Sequence, residues 1–439
     1  MNLKSSFLLA VRMILPKTRS SSNARRSMLG AVLCIALSLI PLVVVLVVSE
    51  SMINGITDRI IGLSSYHIQA TQYTAYKGNE NVEEFEEFIA QVRQIDGVKC
   101  AYHERQGIAL AAGKKGRTGA TIRAVDPDVF VADTAFKKYV SLHAGTSDIS
   151  SSHSALIGTK MAETLDLGPG DKFRLITAKS NAAGKIIPRV TTFTVSGVIS
   201  CGYQEIDALW IFIPYNTGYS LMSNEASQVI CGIETENPFS PKFHEVYKKI
   251  GDILPNGVEI FKWSDMNSSE FENFASTKML LLLIMCLIVL VASINMSSAL
   301  VMLVKERRRE IAILKSIGES NSGITLSFIM IGFAIGLAGV LAGIPLGLLI
   351  SLNINGLISG LEKLVNFFRQ AGYQLINRGD FSAIHILDPA YYLETIPVTI
   401  PVKEILFIML ITLVLCLLVS IIPAVKAGKE KPLSILRKV

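Results

Sequence analysis

Four long stretches of the chain carry no charged side chain: residues 27–49, 279–304, 320–361 and 405–425. About 20 apolar residues at 1.5 Å each carry a helix across a hydrocarbon core of about 30 Å. The pattern therefore predicts membrane-crossing helices over 28–49, 278–304, 324–352 and 403–424. The third stretch, 42 residues long, exceeds one crossing. In its second part Ile354, Leu357, Ile358, Leu361, Leu364, Val365 and Phe368 recur at helical spacing, so a bilayer helix is expected to continue into an amphipathic surface helix. Tyr391 and Tyr392, with Pro389 and Pro397, read as an aromatic interfacial stretch before the last crossing. The first stretch is too long for a signal-peptide core, and Val47-Val48-Ser49-Glu50 offers no small-x-small cleavage site, so a retained anchor is expected.

Between the first two crossings the period changes. Asn81–Ile95 and Lys242–Leu254 repeat apolar residues at helical spacing. Gly107–Ala112, Thr121–Val125, Lys172–Thr177, Thr191–Ile199, Ala208–Ile213 and Gln228–Ile233 read as strands. Gly113-Lys114-Lys115-Gly116 reads as a hairpin turn, and Leu167-Gly168-Pro169-Gly170-Asp171 as a helix stop and a tight turn into a strand. The fold class is a polytopic α-helical membrane protein with four transmembrane helices and a large α+β extracytoplasmic domain between the first and second, its strands mostly short. At the N-terminus Leu3, Phe7, Leu8, Val11 and Leu15 share one face of 3–15, as in an interfacial helix; a frayed terminus is the alternative.

Composition agrees. Half the residues are hydrophobic, mean hydropathy is +0.44, and 18% are charged against about 25% in soluble domains. The net charge of +6 conceals an asymmetry. Residues 1–27 hold six basic and no acidic residues, 305–323 five and three, and 425–439 five and one, so these segments carry +12 and the rest of the chain −6. Short basic flanks stay cytoplasmic. The expected order is a cytoplasmic amphipathic and basic N-terminus (1–27), helix 28–49, extracytoplasmic domain 50–277, helix 278–304, cytoplasmic coupling segment 305–323, helix 324–352, extracytoplasmic loop 353–402, helix 403–424 and cytoplasmic tail 425–439. Cys34, Cys286 and Cys416 fall within crossings. Cys100, Cys201 and Cys231 lie in the external domain, where one disulfide could form.

No catalytic constellation is present in the sequence. Neither Gly113-Lys114-Lys115-Gly116-Arg117-Thr118 nor Gly184-Lys185-Ile186 fits a phosphate-binding loop, so ATP hydrolysis is expected of a separate polypeptide. The six histidines never reach metal-ligand spacing, and neither metal nor cofactor is expected. No crossing has an ionisable side chain in its middle, which disfavours a hydrophilic pathway. Asn295, Ser297 and Ser298 are expected to bond between helices. One cytoplasmic element stands out. The charged start of Lys305–Gly318 should extend the second crossing helix. Its apolar end (Ile311, Leu314, Ile317) either enters a groove on a soluble partner or rests with the basic cluster on anionic lipid. Gly318 is placed as a helix stop.

Here the residues acquire a resemblance. Lys305–Ser320 (KERRREIAILKSIGES) resembles the coupling segment of FtsX-like ABC-transporter permeases, and Pro423-Ala424-Val425-Lys426-Ala427 with Pro432–Arg437 resembles that family's closing motif. Met52–Gly55, Arg59–Ser64, Leu156–Ala162 with Gly170-Asp171, Trp263–Asn295 and Asp388–Pro397 resemble the lipoprotein-releasing permeases LolC and LolE. The resemblance implies a non-catalytic, mechanotransmitting permease of the bacterial inner membrane, with both termini cytoplasmic. Its partners would be a cytoplasmic ABC ATPase, a second permease copy or sister permease, a lipoprotein substrate and a periplasmic lipoprotein chaperone. It assigns ATPase coupling to Glu306, Arg308, Arg309, Glu310, Ile313, Leu314, Lys315 and Gly318. The family's chaperone-holding hook has its nearest counterpart in Ala178–Val190, with Lys185, Ile186, Ile187 and Pro188 as the possible chaperone contacts; an ordinary hairpin is the other reading. The competing functions are an FtsX-like signalling scaffold that controls periplasmic cell-wall hydrolases, and an efflux-pump permease.

Overall fold

The computed structural model describes residues 23–72, 82–132, 134–180, 186–222, 227–376, 393 and 396–430. The segments 3–15 and 432–437, and most of 388–397, lie outside them. In chain order the elements are α1 (Asn23–Arg59), β1 (Ile68–Gln72), α2 (Val82–Val92), β2 (Val98–Ala112), β3 (Arg117–Val125), β4 (Ser141–Gly145), β5 (Ser154–Gly158), α3 (Thr159–Leu165), β6 (Lys172–Ser180), β7 (Ile186–Ser200), β8 (Trp210–Pro214), β9 (Ser227–Thr235), α4 (Pro241–Asp252) and β10 (Val258–Lys262). There follow α5 (Ser268–Glu306), α6 (Arg308–Ser316), α7 (Asn321–Leu352), α8 (Ile354–Ile376) and α9 (Val402–Lys429). The chain divides into two compact units. One comprises Met1–Ser51, Phe274–Leu364 and Pro397–Val439; the other comprises Met52–Asn273 and Val365–Ile396.

The first unit is a helix bundle. α1, α5, α7 and α9 are each long and apolar enough to cross a membrane. α7 is packed through glycine: Gly332 and Gly336 lie against Ser420 and Cys416 of α9, while Gly339, Gly343 and Gly347 lie against Ile35, Leu39 and Val43 of α1. Small residues let membrane helices approach backbone to backbone, where dispersion and weak polar contacts replace a hydrophobic drive. A side chain at Gly343 would start 2.9 Å from both the Ala36 carbonyl oxygen and Leu39 Cβ. Gly343→Val is therefore expected to cost about 1–3 kcal/mol by overpacking. Thermal unfolding in detergent should show the loss; Gly356→Ala, where nothing lies within 4 Å, should leave the transition in place.

The second unit holds a ten-stranded mixed sheet, ordered β10-β1-β9-β2-β3-β8-β5-β7-β4, with β6 paired to both β2 and β7. Two substructures share it. The strands β10-β1-β9-β2 are mutually antiparallel, and α2 and α4 connect them as β1-α2-β2 and β9-α4-β10, a ferredoxin-like arrangement. Its core is Phe85, Phe88, Ile89 and Val92 of α2 with Phe243, Val246 and Ile250 of α4 over the sheet. Inserted between β2 and β9, the strands β2-β3-β8-β5-β7-β6 close on themselves, because β6 returns to β2. Ala111, Ile122, Ile157, Phe173, Phe193 and Ile211 belong to the second core that this closure encloses.

Most strands are short, as expected, but β2 and β7 have 15 residues each. β2 is long because its Val98–Gly107 part pairs with β9 and its Ala109–Ala112 part with β6, so one strand serves both substructures. Its first half escaped the alternation pattern since Glu104 and Arg105, which read as surface charges, are fully buried. Cys100, Cys201 and Cys231 are all free thiols. Burial pushes the Cys231 thiol up to about 12, so it behaves as a small apolar group.

Candidate coupling site

The coupling segment is a helix of its own. Its charged start extends α5 as expected, but only through Lys305 and Glu306: Arg307, at φ −88° and ψ 12°, interrupts the helix, and α6 restarts at Arg308. Gly318, at φ +106°, ends it in a conformation that disfavours other residues. Ser320 then caps α7, its Oγ accepting from the Gly323 amide at 3.1 Å.

Side-chain placement corrects the expected apolar face. Ile311 and Ala312 are fully buried, and Ile311 joins the core of the helix bundle, with Leu314 packed against it. Ile311 therefore cannot enter a partner. The outward apolar residues are Ile313 (52% exposed) and Ile317 (80% exposed), which with Arg309 follow a four-residue spacing along one face. Glu306 and Glu310 are exposed as well, Glu310 paired with Arg307.

Two of the proposed contact residues are engaged inside the chain. The Arg308 guanidinium donates from Nε (3.0 Å) and Nη2 (2.8 Å) to the Glu430 carboxylate. Lys315 Nζ donates to the carbonyls of Gly428 (2.5 Å) and Glu430 (2.8 Å). A lysine there complements the negative end of the α9 dipole and satisfies carbonyls that the helix leaves open. α6 is thus clasped to the end of α9 by Arg308 and Lys315, and presents Arg309, Glu310, Ile313 and Ile317 outward.

The candidate chaperone contact is flanked by antiparallel strands: β6 and β7 remain paired as far as Ser180 and Ile186, and residues 181–185, Lys185 among them, lie outside the described residues. Ile187 is 47% exposed, and Pro188 sits opposite Ala178.

Sequence reasoning missed two polar centres. In the external unit Arg123 and Glu104 are 1% and 0% exposed. Arg123 donates to Glu104 from Nε (2.5 Å) and Nη2 (2.7 Å), to the Leu63 carbonyl (2.6 Å) and to Tyr66 Oη (2.9 Å), and stacks 4.2 Å from the Trp210 ring centroid. Burial opposes the guanidinium charge, but Glu104 and Tyr66 outweigh it and hold its pKa above the ordinary arginine value. Through Leu63 and Tyr66, this network ties the chain that follows α1 to β2 and β3. Arg59 adds a bond from Nε to the Cys201 carbonyl at 2.6 Å. The second centre lies in the helix bundle, where Lys278 of α5 bridges Glu50 of α1 (2.9 Å) and Glu404 of α9 (3.4 Å). Beside it the Thr399 amide donates to Ser51 Oγ at 2.9 Å. Single charges at helix ends look like ordinary flanks in sequence; only the bundle brings these three together.

Among the described residues there is no group of three or more His, Cys, Asp and Glu side chains placed to hold a metal. His103 is buried between Phe85 and Tyr215 and bonds Tyr215 Oη at 2.8 Å; burial lowers its pKa to about 4, so it is a neutral packing residue at physiological pH.

Residues 282–432 match the family described as FtsX-like permease C-terminal, and residues 28–236 match the MacB-like periplasmic core domain. The lipoprotein-releasing system transmembrane protein LolC of Xylella fastidiosa is 22% identical over 439 residues, covering 98% of each chain. LolC of Neisseria meningitidis is 26% identical over 68% of this chain and 67% of its own. LolE of Haemophilus influenzae is 24% identical over 64% of each.

Proposed function

Since the chain belongs to the LolC/LolE-type family of FtsX-like permeases, we propose that it is the membrane subunit of an ABC transporter that extracts lipoproteins from the inner membrane and hands them to a periplasmic chaperone. It is a multi-pass inner-membrane protein of four apolar helices. In this reading both termini and the 305–323 segment are cytoplasmic, the 50–277 domain and the 353–402 loop are external, and a separate ABC ATPase hydrolyses the nucleotide. A second permease, identical or related, completes the membrane part.

The observation that carries the proposal is the outward face of α6. It offers a nucleotide-hydrolysing partner two apolar anchors, Ile313 and Ile317, flanked by Arg309 and Glu310. A helix held at both ends by backbone breaks and clasped to α9 transmits a push, whereas a frayed loop would absorb it. Motion delivered there passes into α5 and α9. α1 runs from Asn23 to Arg59, and the chain that follows it is bonded to the external sheet by Arg59 and Arg123. The uncharged middles of the four helices offer no ionisable side chain to a hydrophilic solute, which suits a cargo that leaves sideways from lipid. Depleting the protein should strand outer-membrane lipoproteins in the inner-membrane fraction. Normal sorting after depletion would exclude the function.

A further inference from the structure

The surface helix α8 begins at a definable height in the bundle. α1 and α7 run side by side with a constant register, Gly339 against Ile35, Gly343 against Leu39 and Gly347 against Val43, each pair 304 residues apart. Continued for about two turns, the same register sets Ile354, the first residue of α8, level with Glu50. Glu50 belongs to the Glu50–Lys278–Glu404 cluster, and ionised side chains at helix ends sit at the edge of the hydrocarbon core rather than within it. α7, with 32 residues and about 48 Å of length, has by then crossed the membrane completely. The helix breaks at Asn353, whose Nδ2 bonds the Leu349 carbonyl at 3.0 Å. The chain therefore turns at the outer membrane surface.

The helix beyond this turn is amphipathic. At 100° per residue Ile354, Leu357, Ile358, Leu361 and Leu364, continued by Val365 and Phe368, fall within an arc of about 120°, while Asn355, Ser359, Glu362, Lys363, Asn366 and Arg369 occupy the opposite side. Leu357, Leu361 and Leu364 are 44%, 44% and 54% exposed, so this chain does not cover them. The arc continues an interface already formed, because Leu346, Leu349 and Leu352 of the preceding crossing helix are also exposed, as lipid-facing residues are. Pairing with a second copy fits less well: a two-stranded seam needs a narrow a/d stripe flanked by charge, whereas here the flanking positions hold Ile358 and Val365.

We propose that α8 lies in the outer-leaflet surface of the inner membrane, its exposed Leu357–Leu364 stripe among the acyl chains and its polar arc among the headgroups, while Ile354 packs back into the protein. Helices of this composition bury their apolar face about 5–10 Å into the headgroup–acyl boundary. The assignment rests on the proposed topology, which puts the 353–402 loop outside, and would hold for any cargo.

The test uses the full-length protein in nanodiscs of phosphatidylethanolamine and phosphatidylglycerol, with single exchanges Leu361→Trp on the stripe and Ser359→Trp opposite it. Emission from Trp210 and Trp263 is subtracted using the parent protein. The emission added by Leu361→Trp should be blue-shifted, largely lost with acyl-brominated lipid and retained in acrylamide. Ser359→Trp should behave in the opposite way. Acrylamide quenching of both would place the helix in water. Shielding of Leu361→Trp from both quenchers would place it under protein, a second copy included. Either result overturns the proposal.

Discussion

Exchanging both Ile313 and Ile317 for aspartate should release the ATPase subunit from the purified permease while the bundle stays folded. These are the most exposed apolar side chains of α6, so their loss costs the isolated chain little, yet in a docked complex they would enter a dry groove. Anchors of that kind are worth about 2–4 kcal/mol when removed, and burying a new carboxylate adds to the penalty, so affinity should fall roughly 30- to 1,000-fold. Binding of the ATPase to the detergent-solubilised permease, followed by calorimetry or pull-down, measures this. The charge exchange Arg309→Glu with Glu310→Arg should weaken binding less, because pairs at a wet rim contribute little. Arg308→Ala acts differently: it opens the clasp to Glu430, and should impair the coupling of ATP hydrolysis to release more than docking itself. Unchanged affinity in the double aspartate variant would mean that the segment rests on lipid.

The second large effect belongs to the external unit. Glu104→Gln leaves the Arg123 guanidinium inside the protein without its counter-charge, and Arg123→Met strands the carboxylate; breaking a buried pair from one side costs about 3–5 kcal/mol. Against a total stability of about 5–15 kcal/mol, either variant should lower the unfolding midpoint of the full-length protein steeply. Trp210, stacked on Arg123, reports the event through its fluorescence. The combined Glu104→Leu with Arg123→Met removes both charges at similar volume, and should recover much of the loss. Single variants within about 1 kcal/mol of the parent would show that water reaches the pair and that the network does not hold the post-α1 chain.

Much of this was legible in the sequence, for a simple reason. Crossing a membrane imposes a composition on some 20 consecutive residues, so the four apolar helices were visible as uncharged runs. The stripe Ile354–Phe368 announced the amphipathic helix α8, since a helical period is a local property. The hairpin at Gly113–Gly116 and the stop at Gly318 were readable because glycine marks backbone geometry directly: Gly116 and Gly318 both take positive φ. The segment 305–318 could be singled out by its resemblance to a family.

Other features depend on partners distant in the chain. Glu104 and Arg123, 19 residues apart on two strands, read as solvent-facing charges until pairing of β2 and β3 sets them face to face in a desolvated core. The double service of β2 follows from β6 returning to it across a long insertion, a closure that no local alternation encodes. On α6 the sequence offered Ile311, Leu314 and Ile317 as a face at nearly equal spacing. Arg308, Lys315 and the end of α9 decided the rotation of the helix, burying Ile311 and turning Ile313 outward. The bilayer filters side chains by composition, so the amino-acid order alone determined which helices are long and apolar enough to cross and that an α+β unit accompanies them. Which charges are buried together and which isoleucines remain for a partner are set by long-range packing, and those the tertiary structure alone decided.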